Sequence, residues 1–274
     1  MELPGALHLS IISLDVYFCP WQGYYNSISK GIMMDLSPFG ELFRKSWELY
    51  QKKFKTLAML LALPFIANVL SIIGQHGHKS SFAGFSTSMF VAAGAAALII
   101  GLIFVAISLW IQVAVIYAVD GSEDQPDVSK LLVRSWPMVL PMLLVAILAG
   151  LAVLGGLILL IVPGIIFGVW FAFSSYTLVL ENQRGTEALK ASKALVSGRW
   201  GTVFGRLVLL FLVLIGISIV TSIVLVFLPA TLRSIASAAV SNFVISPLGV
   251  VFTYLFYKEL KGSSAGLAQA EVSV

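Results

Sequence analysis

The sequence is poor in charge. Of its 274 residues only 11% are Asp, Glu, Lys or Arg, whereas 59% are hydrophobic. A water-soluble domain carries about 25% charged and about 45–50% apolar residues. Charge this sparse cannot cover a fully aqueous surface, so lipid must serve as much of the solvent. Cysteine occurs once, as Cys19, which excludes an internal disulfide and a cysteine-built metal centre. His76 and His78 form a His-Gly-His pair, but no clustered carboxylate or thiol completes a site around them. They read as part of a solvated loop, and no cofactor or metal is expected. The net charge is only +4, and the basic residues flank apolar runs instead of forming one basic tract. That placement argues against nucleic acid and for anionic phospholipid headgroups as partners.

Long apolar runs are what the chain has in abundance. A helix needs about 20 apolar residues to cross a hydrocarbon layer about 30 Å thick. Spans are expected over 56–74 and within 90–119, ending before Asp120. The stretch 138–180 contains no charged residue; at about 1.5 Å per residue it would be roughly 65 Å long, enough for two crossings and a tight turn. Gly155-Gly156 and Pro163-Gly164 are the available breakers, and the turn is expected near Val162, Pro163 and Gly164. A fifth span is expected over 207–228, ended by Pro229, and a sixth over 235–257.

Lysine and arginine set the orientation. Fourteen of them fall on one side of this six-span arrangement, including Arg44, Lys53, Arg134, Arg199 and Lys258, against only Lys79 and Arg233 on the other. The bias places both termini in the cytoplasm and requires an even number of crossings. Localisation in the cell membrane as a multi-pass protein follows. Residues 1–33 fit poorly with the rest. Their apolar run is interrupted by His8 and Asp15, no signal-peptide pattern is present, and the native start is expected at Met33 or Met34. Residues 34–260 are expected to form the membrane domain, and 261–274 a flexible tail.

The segments between spans are also patterned. Ser37 is a suitable helix cap with Pro38 after it. Phe39, Leu42, Phe43, Trp47, Tyr50 and Phe54 then share one helical face, opposite Glu41, Arg44, Lys45, Glu48, Gln51 and Lys52. This spacing predicts an amphipathic helix at the membrane interface that runs into the first span. Similar faces precede the third span (Val128, Leu131, Leu132, Trp136) and the fifth (Leu189, Ser192, Leu195, Val196, Trp200). Asp120, Glu181 and Glu259 each follow an apolar, Tyr-containing helix end. The expected fold is therefore all-α and polytopic, with six transmembrane helices in three units, each an interfacial helix followed by a helical hairpin.

One stretch carries a family signature. Leu160-Ile161-Val162-Pro163-Gly164-Ile165-Ile166 is followed by an apolar helix, Leu178-Val179-Leu180-Glu181, then Gly185, Glu187-Ala188-Leu189-Lys190-Ala191-Ser192 and Leu195-Val196-Ser197-Gly198-Arg199-Trp200. With the opening Glu41-Leu42-Phe43-Arg44-Lys45-Ser46-Trp47, this resembles the membrane domain of some bacterial glycerophosphoryl diester phosphodiesterases and its stand-alone relatives, over about residues 36–260. In those enzymes a separate soluble barrel performs hydrolysis. Nothing of that kind follows Lys261 here, so the resemblance implies a membrane role linked to glycerophospholipids and not the activity.

Chemistry inside the expected spans finds little support. They hold no Asp, Glu, His, Lys or Arg, and Ser174, Ser175, Ser218 and Ser222 have no base at helical spacing. The deepest polar side chains are Asn68, Gln112 and Asn242. They either pair between helices or line a route for a neutral or lipid-like solute. Gly94, Ala95, Ala96, Ala97, Gly150 and Gly155 would permit close helix packing, within the chain or in a homo-oligomer. The cations Arg184, Lys190, Lys193, Arg199 and Arg206 cluster around the third amphipathic helix and are the candidate phospholipid headgroup site, with Glu181 and Glu187 as possible ion-pair partners of Arg184 or Lys190. The expected function is a non-catalytic membrane module that binds or organises phospholipid or anchors a protein partner. The alternative is a small transporter or lipid-translocating protein.

Overall fold

The computed structural model describes residues 36–77, 87–122 and 126–272. The extension 1–33, His78 and Lys79 lie outside the described residues. The chain divides into one large unit, residues 37–262, and a second made of 1–36 and 263–274. Of the second, only Leu36 and the helical residues 263–272 are described.

Every regular element among the described residues is helical. Helix α1 (Phe39–Gly77) is continuous from its amphipathic start through the first span, and α2 (Thr87–Asp120) returns. A short α3 (Val128–Ser135) leads through a 3-10 turn (Trp136–Met138) into α4 (Val139–Leu159). The fourth crossing is made by α5 (Ile161–Trp170) and α6 (Ser174–Glu181). Then α7 (Thr186–Val196) precedes α8 (Trp200–Val224), and α9 (Ala230–Val240) passes through a π-helical segment (Ser241–Ile245) into α10 (Ser246–Val272). Among the described residues, six such helical stretches are long and apolar enough to cross a membrane, as a multi-pass membrane protein requires. Helices are the expected solution, because hydrocarbon offers backbone groups no partner and a helix satisfies them internally.

The hairpin between the third and fourth crossings turns two residues earlier than the sequence implies. The extended residue is Leu160 (φ −164°, ψ 152°), and Ile161 already opens α5. Pro163 therefore sits in the first turn of α5, where a missing N–H costs nothing because that turn's N–H groups lack helical acceptors anyway. Gly164 and Gly156 serve packing instead. A Cβ on Gly156 would lie 2.9 Å from Gly164 Cα and 2.8 Å from Phe167 Cδ2, and one on Gly164 would lie 2.4 Å from Leu157 Cγ. The two helices can meet this closely only with glycine at both places. Gly94, Gly150 and Gly155, expected to permit such packing, have nothing within 4 Å of the corresponding position. Among the described residues, then, no neighbour packs against the face of these three glycines that a Cβ would occupy.

Helix α10 supplies much of the centre of the bundle. Leu248, Val251, Phe252, Phe256, Tyr257 and Leu260 on it are all buried. Phe252 meets Phe39 of α1 at 5.3 Å between ring centres, Phe256 meets Phe173 at 5.6 Å, and Tyr257 stacks on Tyr176 at 5.8 Å. Outward-facing residues are large and apolar, among them Ile158, Leu159 and Phe227. In the most apolar part of the stretch Trp200–Phe227 only 6% of residues are buried. That surface is stable only against lipid or another apolar surface. Helix α10 also runs beyond the expected end at Tyr257, to Val272.

Candidate functional site

One end of the bundle gathers the charged residues. Asp120 at the end of α2 accepts from Tyr254 Oη at 2.8 Å and pairs with Lys258 Nζ at 3.0 Å. Glu181 at the end of α6 accepts from Tyr257 Oη and pairs with Lys261 Nζ at 3.1 Å. The donors Tyr254/Lys258 and Tyr257/Lys261 are each four residues apart on α10, so each pair shares a helical face. Glu259 takes a different partner, Arg206 of α8, at 2.9 Å. Glu259 also accepts from the Ser37 N–H and hydroxyl, and Arg206 Nη2 donates to the Ser37 carbonyl at 2.8 Å. The start of α1 is thereby clamped to α8 and α10.

The interfacial stretches are held by buried hydroxyls. Ser46, Ser135 and Ser192 are all fully buried. The first two donate to carbonyls four residues back, Leu42 at 2.7 Å and Leu131 at 2.6 Å, while Ser192 donates to Trp170 at 2.6 Å. Ser192 Oγ also accepts from Phe173 N–H at 3.2 Å, which fixes α7 against the turn between α5 and α6. Lys53 is buried as well; its Nζ donates to Ala118 O at 2.6 Å and to Gly121 O. A cation there satisfies the last carbonyls of α2 and complements its dipole. At the other side of that loop Asp127 caps α3, accepting from Ser129 N–H at 3.0 Å and its hydroxyl at 2.8 Å. These bonds favour the carboxylate and hold its pKa below the ordinary value.

The five candidate headgroup cations do not behave alike. Arg184, Lys190 and Lys193 are exposed, and Arg199 is half-buried beside Trp200. Arg206 turns inward: its side chain is 11% exposed and bound to Glu259. Glu181 pairs with Lys261, not with Arg184 or Lys190 as the sequence allowed, and Glu187 forms no ion pair among the described residues. Two apolar grooves flank α7. One, of about 670 Å³, is lined by Ile165, Ile166, Trp170, Gly198, Trp200 and Phe204. Lys193 Nζ stands 4.2 Å over the Trp170 ring at its edge, and Trp200 stacks on Phe204 at 5.0 Å with its buried indole N–H unpartnered. The other, of about 450 Å³, is lined by Leu140, Leu144 and Ile147, with Arg184 and Gly185 at its rim. An apolar slot beside a cation has the amphipathic pattern of a phospholipid.

The polar residues of the spans meet at Asn242. It lines one cavity with Asn68 and another with Gln112. The hydroxyls of Ser174, Ser218 and Ser222 donate to backbone carbonyls of their own helical stretch, those of Phe171, Leu214 and Ser218. No known protein family, curated protein or solved structure matches the chain.

Three features of this end escaped the sequence reading. The inward turn of Arg206, the burial of Lys53 and the Tyr/Lys pairs of α10 all use residues that a charge count treats as surface. The four-residue spacing of Tyr254 with Lys258 and of Tyr257 with Lys261 was the available signal, since it presents a hydroxyl and an ammonium to one acceptor.

Proposed function

We propose that the protein is a non-catalytic membrane module that binds and organises anionic phospholipid at its charged end. The two apolar grooves beside Lys193 and Arg184 carry this reading, because each offers an acyl chain a slot and a phosphate a cation. In this reading Arg184, Lys190, Lys193 and Arg199 form the headgroup surface, and Arg206 belongs to the scaffold. Each cation near an anionic leaflet contributes about 1 kcal/mol. The lysine and arginine bias supports a cytoplasmic position for this end and for both termini. The chain is read as three units, each an interfacial segment plus a hairpin. The buried pairs Leu42/Ser46, Leu131/Ser135 and Ala188/Ser192, all four residues apart, support that division. A tie to glycerophospholipid metabolism rests only on the family resemblance over about residues 36–260, strongest over 160–205, and a protein partner docked on the same surface is compatible with it.

The test is charge reversal in lipid nanodiscs. Lys193→Glu with Arg199→Glu should lower the enrichment of anionic over zwitterionic lipid around the protein. Enrichment equal to that of the unaltered protein contradicts the reading. The second reading, a small transporter or lipid-translocating protein, is favoured by the two cavities that adjoin Asn242, one reaching Asn68 and the other Gln112. Solute flux in reconstituted vesicles would decide for it.

A further inference from the structure

The end of the bundle opposite the ion pairs carries a second site of different character. A cavity of about 600 Å³ lies between α1, α8 and α9 and is lined by Asn68, Ser222, Arg233, Ser237, Ser241 and Asn242. Positions 233, 234, 237, 238, 241 and 242 all line it. Their spacing follows one helical face, so α9 and the π segment present a stripe that is polar except at Ala238. The stripe extends about 13 Å from Arg233 to Asn242, at about 1.5 Å per residue. It starts four residues after Pro229, at the end of a span, and reaches into the apolar layer.

Polar groups at that depth are costly unless something satisfies them. The chain does so only in part. Asn242 Nδ2 donates to Ala238 O at 3.1 Å, and the Ser222 hydroxyl donates to Ser218 O at 2.8 Å. Among the described residues, Asn68, Ser237 and Ser241 make no side-chain hydrogen bond, and Arg233 makes no ion pair. The described carboxylates of residues 37–262 belong to the other end of the bundle: Glu41, Glu48, Asp120, Asp127, Glu181, Glu187 and Glu259. Among the described residues, Arg233 is thus the one charged group lining the cavity.

From this geometry we infer that the cavity binds the phosphodiester group of a polar headgroup. A single guanidinium matches a single negative charge, which a phosphodiester carries and a phosphomonoester exceeds. Arginine offers a planar pair of donors to two phosphate oxygens. The serine and asparagine side chains give hydroxyl or amine substituents of the headgroup their partners. The volume is many times the roughly 30 Å³ share of a water molecule, so it accommodates a headgroup and not only a bare anion. The exposed apolar residues Ile223, Val224 and Phe227 lie in the same end of α8 and the turn after it, where acyl chains would pass. The π-helical segment suits this task, since such bulges free backbone and re-aim side chains at functional sites. The inference does not rest on lipid binding at the charged end.

The experiment measures binding to the purified full chain in detergent, with three probes: short-chain phosphatidylglycerol, dimethyl phosphate and inorganic phosphate. Arg233→Gln and Asn242→Leu are compared with Lys193→Gln at the other end, and thermal melts verify that each variant is folded. Short-chain phosphatidylglycerol should bind, and Arg233→Gln should weaken it by about tenfold or more, as removal of a charge-assisted pair does. Dimethyl phosphate binding as tightly assigns the site to a soluble phosphodiester, and weaker binding assigns it to the lipid. Binding of none of the probes, binding of inorganic phosphate alone, or binding unaltered by Arg233→Gln overturns the inference. A loss confined to Lys193→Gln overturns it too, while leaving the charged-end reading standing.

Discussion

Arg206 Nη1 lies 2.9 Å from Glu259 Oε2, and the two side chains are only 11% and 17% exposed. The pair joins α8 to α10, and both partners also bind Ser37 at the start of α1. Loss of one partner leaves the other charge poorly solvated, which costs about 3–5 kcal/mol for a buried pair. Arg206→Ala and Glu259→Ala should each lower the thermal midpoint in detergent markedly. The double substitution should be less damaging than the sum. Additive losses would show that the pair does not act as a unit.

The other two carboxylate ties predict a contrast. Lys258 and Lys261 are about half exposed, so their ion pairs are screened and worth about 0–1 kcal/mol. Lys258→Gln and Lys261→Gln should shift the melt little. Tyr257 is buried and bonded to Glu181, so Tyr257→Phe should cost more, about 1–2 kcal/mol, through the loss of a hydrogen bond to a charged acceptor. A larger effect of the lysines than of the tyrosine would contradict this assignment.

Neighbouring glycines should respond oppositely to the same change. At Gly155 a methyl group meets open space, and in a helix alanine is favoured over glycine by about 1 kcal/mol. Gly155→Ala should be neutral or stabilising. At Gly156 the methyl group would meet the backbone of Gly164 at 2.9 Å, and overpacking of that kind costs about 1–3 kcal/mol. Gly156→Ala should lower the melt, and Gly164→Ala should do the same. Paired melts of the three variants test the hairpin geometry directly.

The orientation we propose from the charge bias is open to chemical labelling. In a chain with Cys19→Ser, Lys190→Cys and Leu232→Cys should react with a membrane-impermeant maleimide from opposite faces. In intact cells the cysteine at 232 should be labelled and that at 190 should be protected until the membrane is permeabilised. Labelling of both from one face would contradict the six-crossing arrangement.

The crossings were legible because hydrocarbon imposes one constraint, an apolar length, and the sequence meets it plainly. Asp120 ends α2 as expected, and α1 runs unbroken from interface to span. What composition could not supply is the direction in which a side chain points. Arg206 and Lys193 look equivalent in a list of cations, yet one is locked against Glu259 and the other is exposed over the Trp170 ring. The Pro163-Gly164 signal was real but its role was packing, since proline is tolerated in a first helical turn and Leu160 takes the extended conformation instead. The polar stripe from Arg233 to Asn242 was visible as a four-residue spacing. That spacing does not stand out in sequence, because each serine alone is within a span's tolerance for small polar residues. The π segment at Ser241–Ile245 has no such local signal.

Selection of anionic phospholipid by the charged end, which we propose, leaves a trace in the lipid that stays bound. The most direct measurement is mass spectrometry of the lipids that co-purify with the protein in mild detergent, compared with the membrane they came from. Anionic phospholipid should be enriched, and the enrichment should fall when Lys193→Glu and Arg199→Glu are introduced together. Co-purified lipid with the composition of the bulk membrane, unaffected by those substitutions, would contradict it.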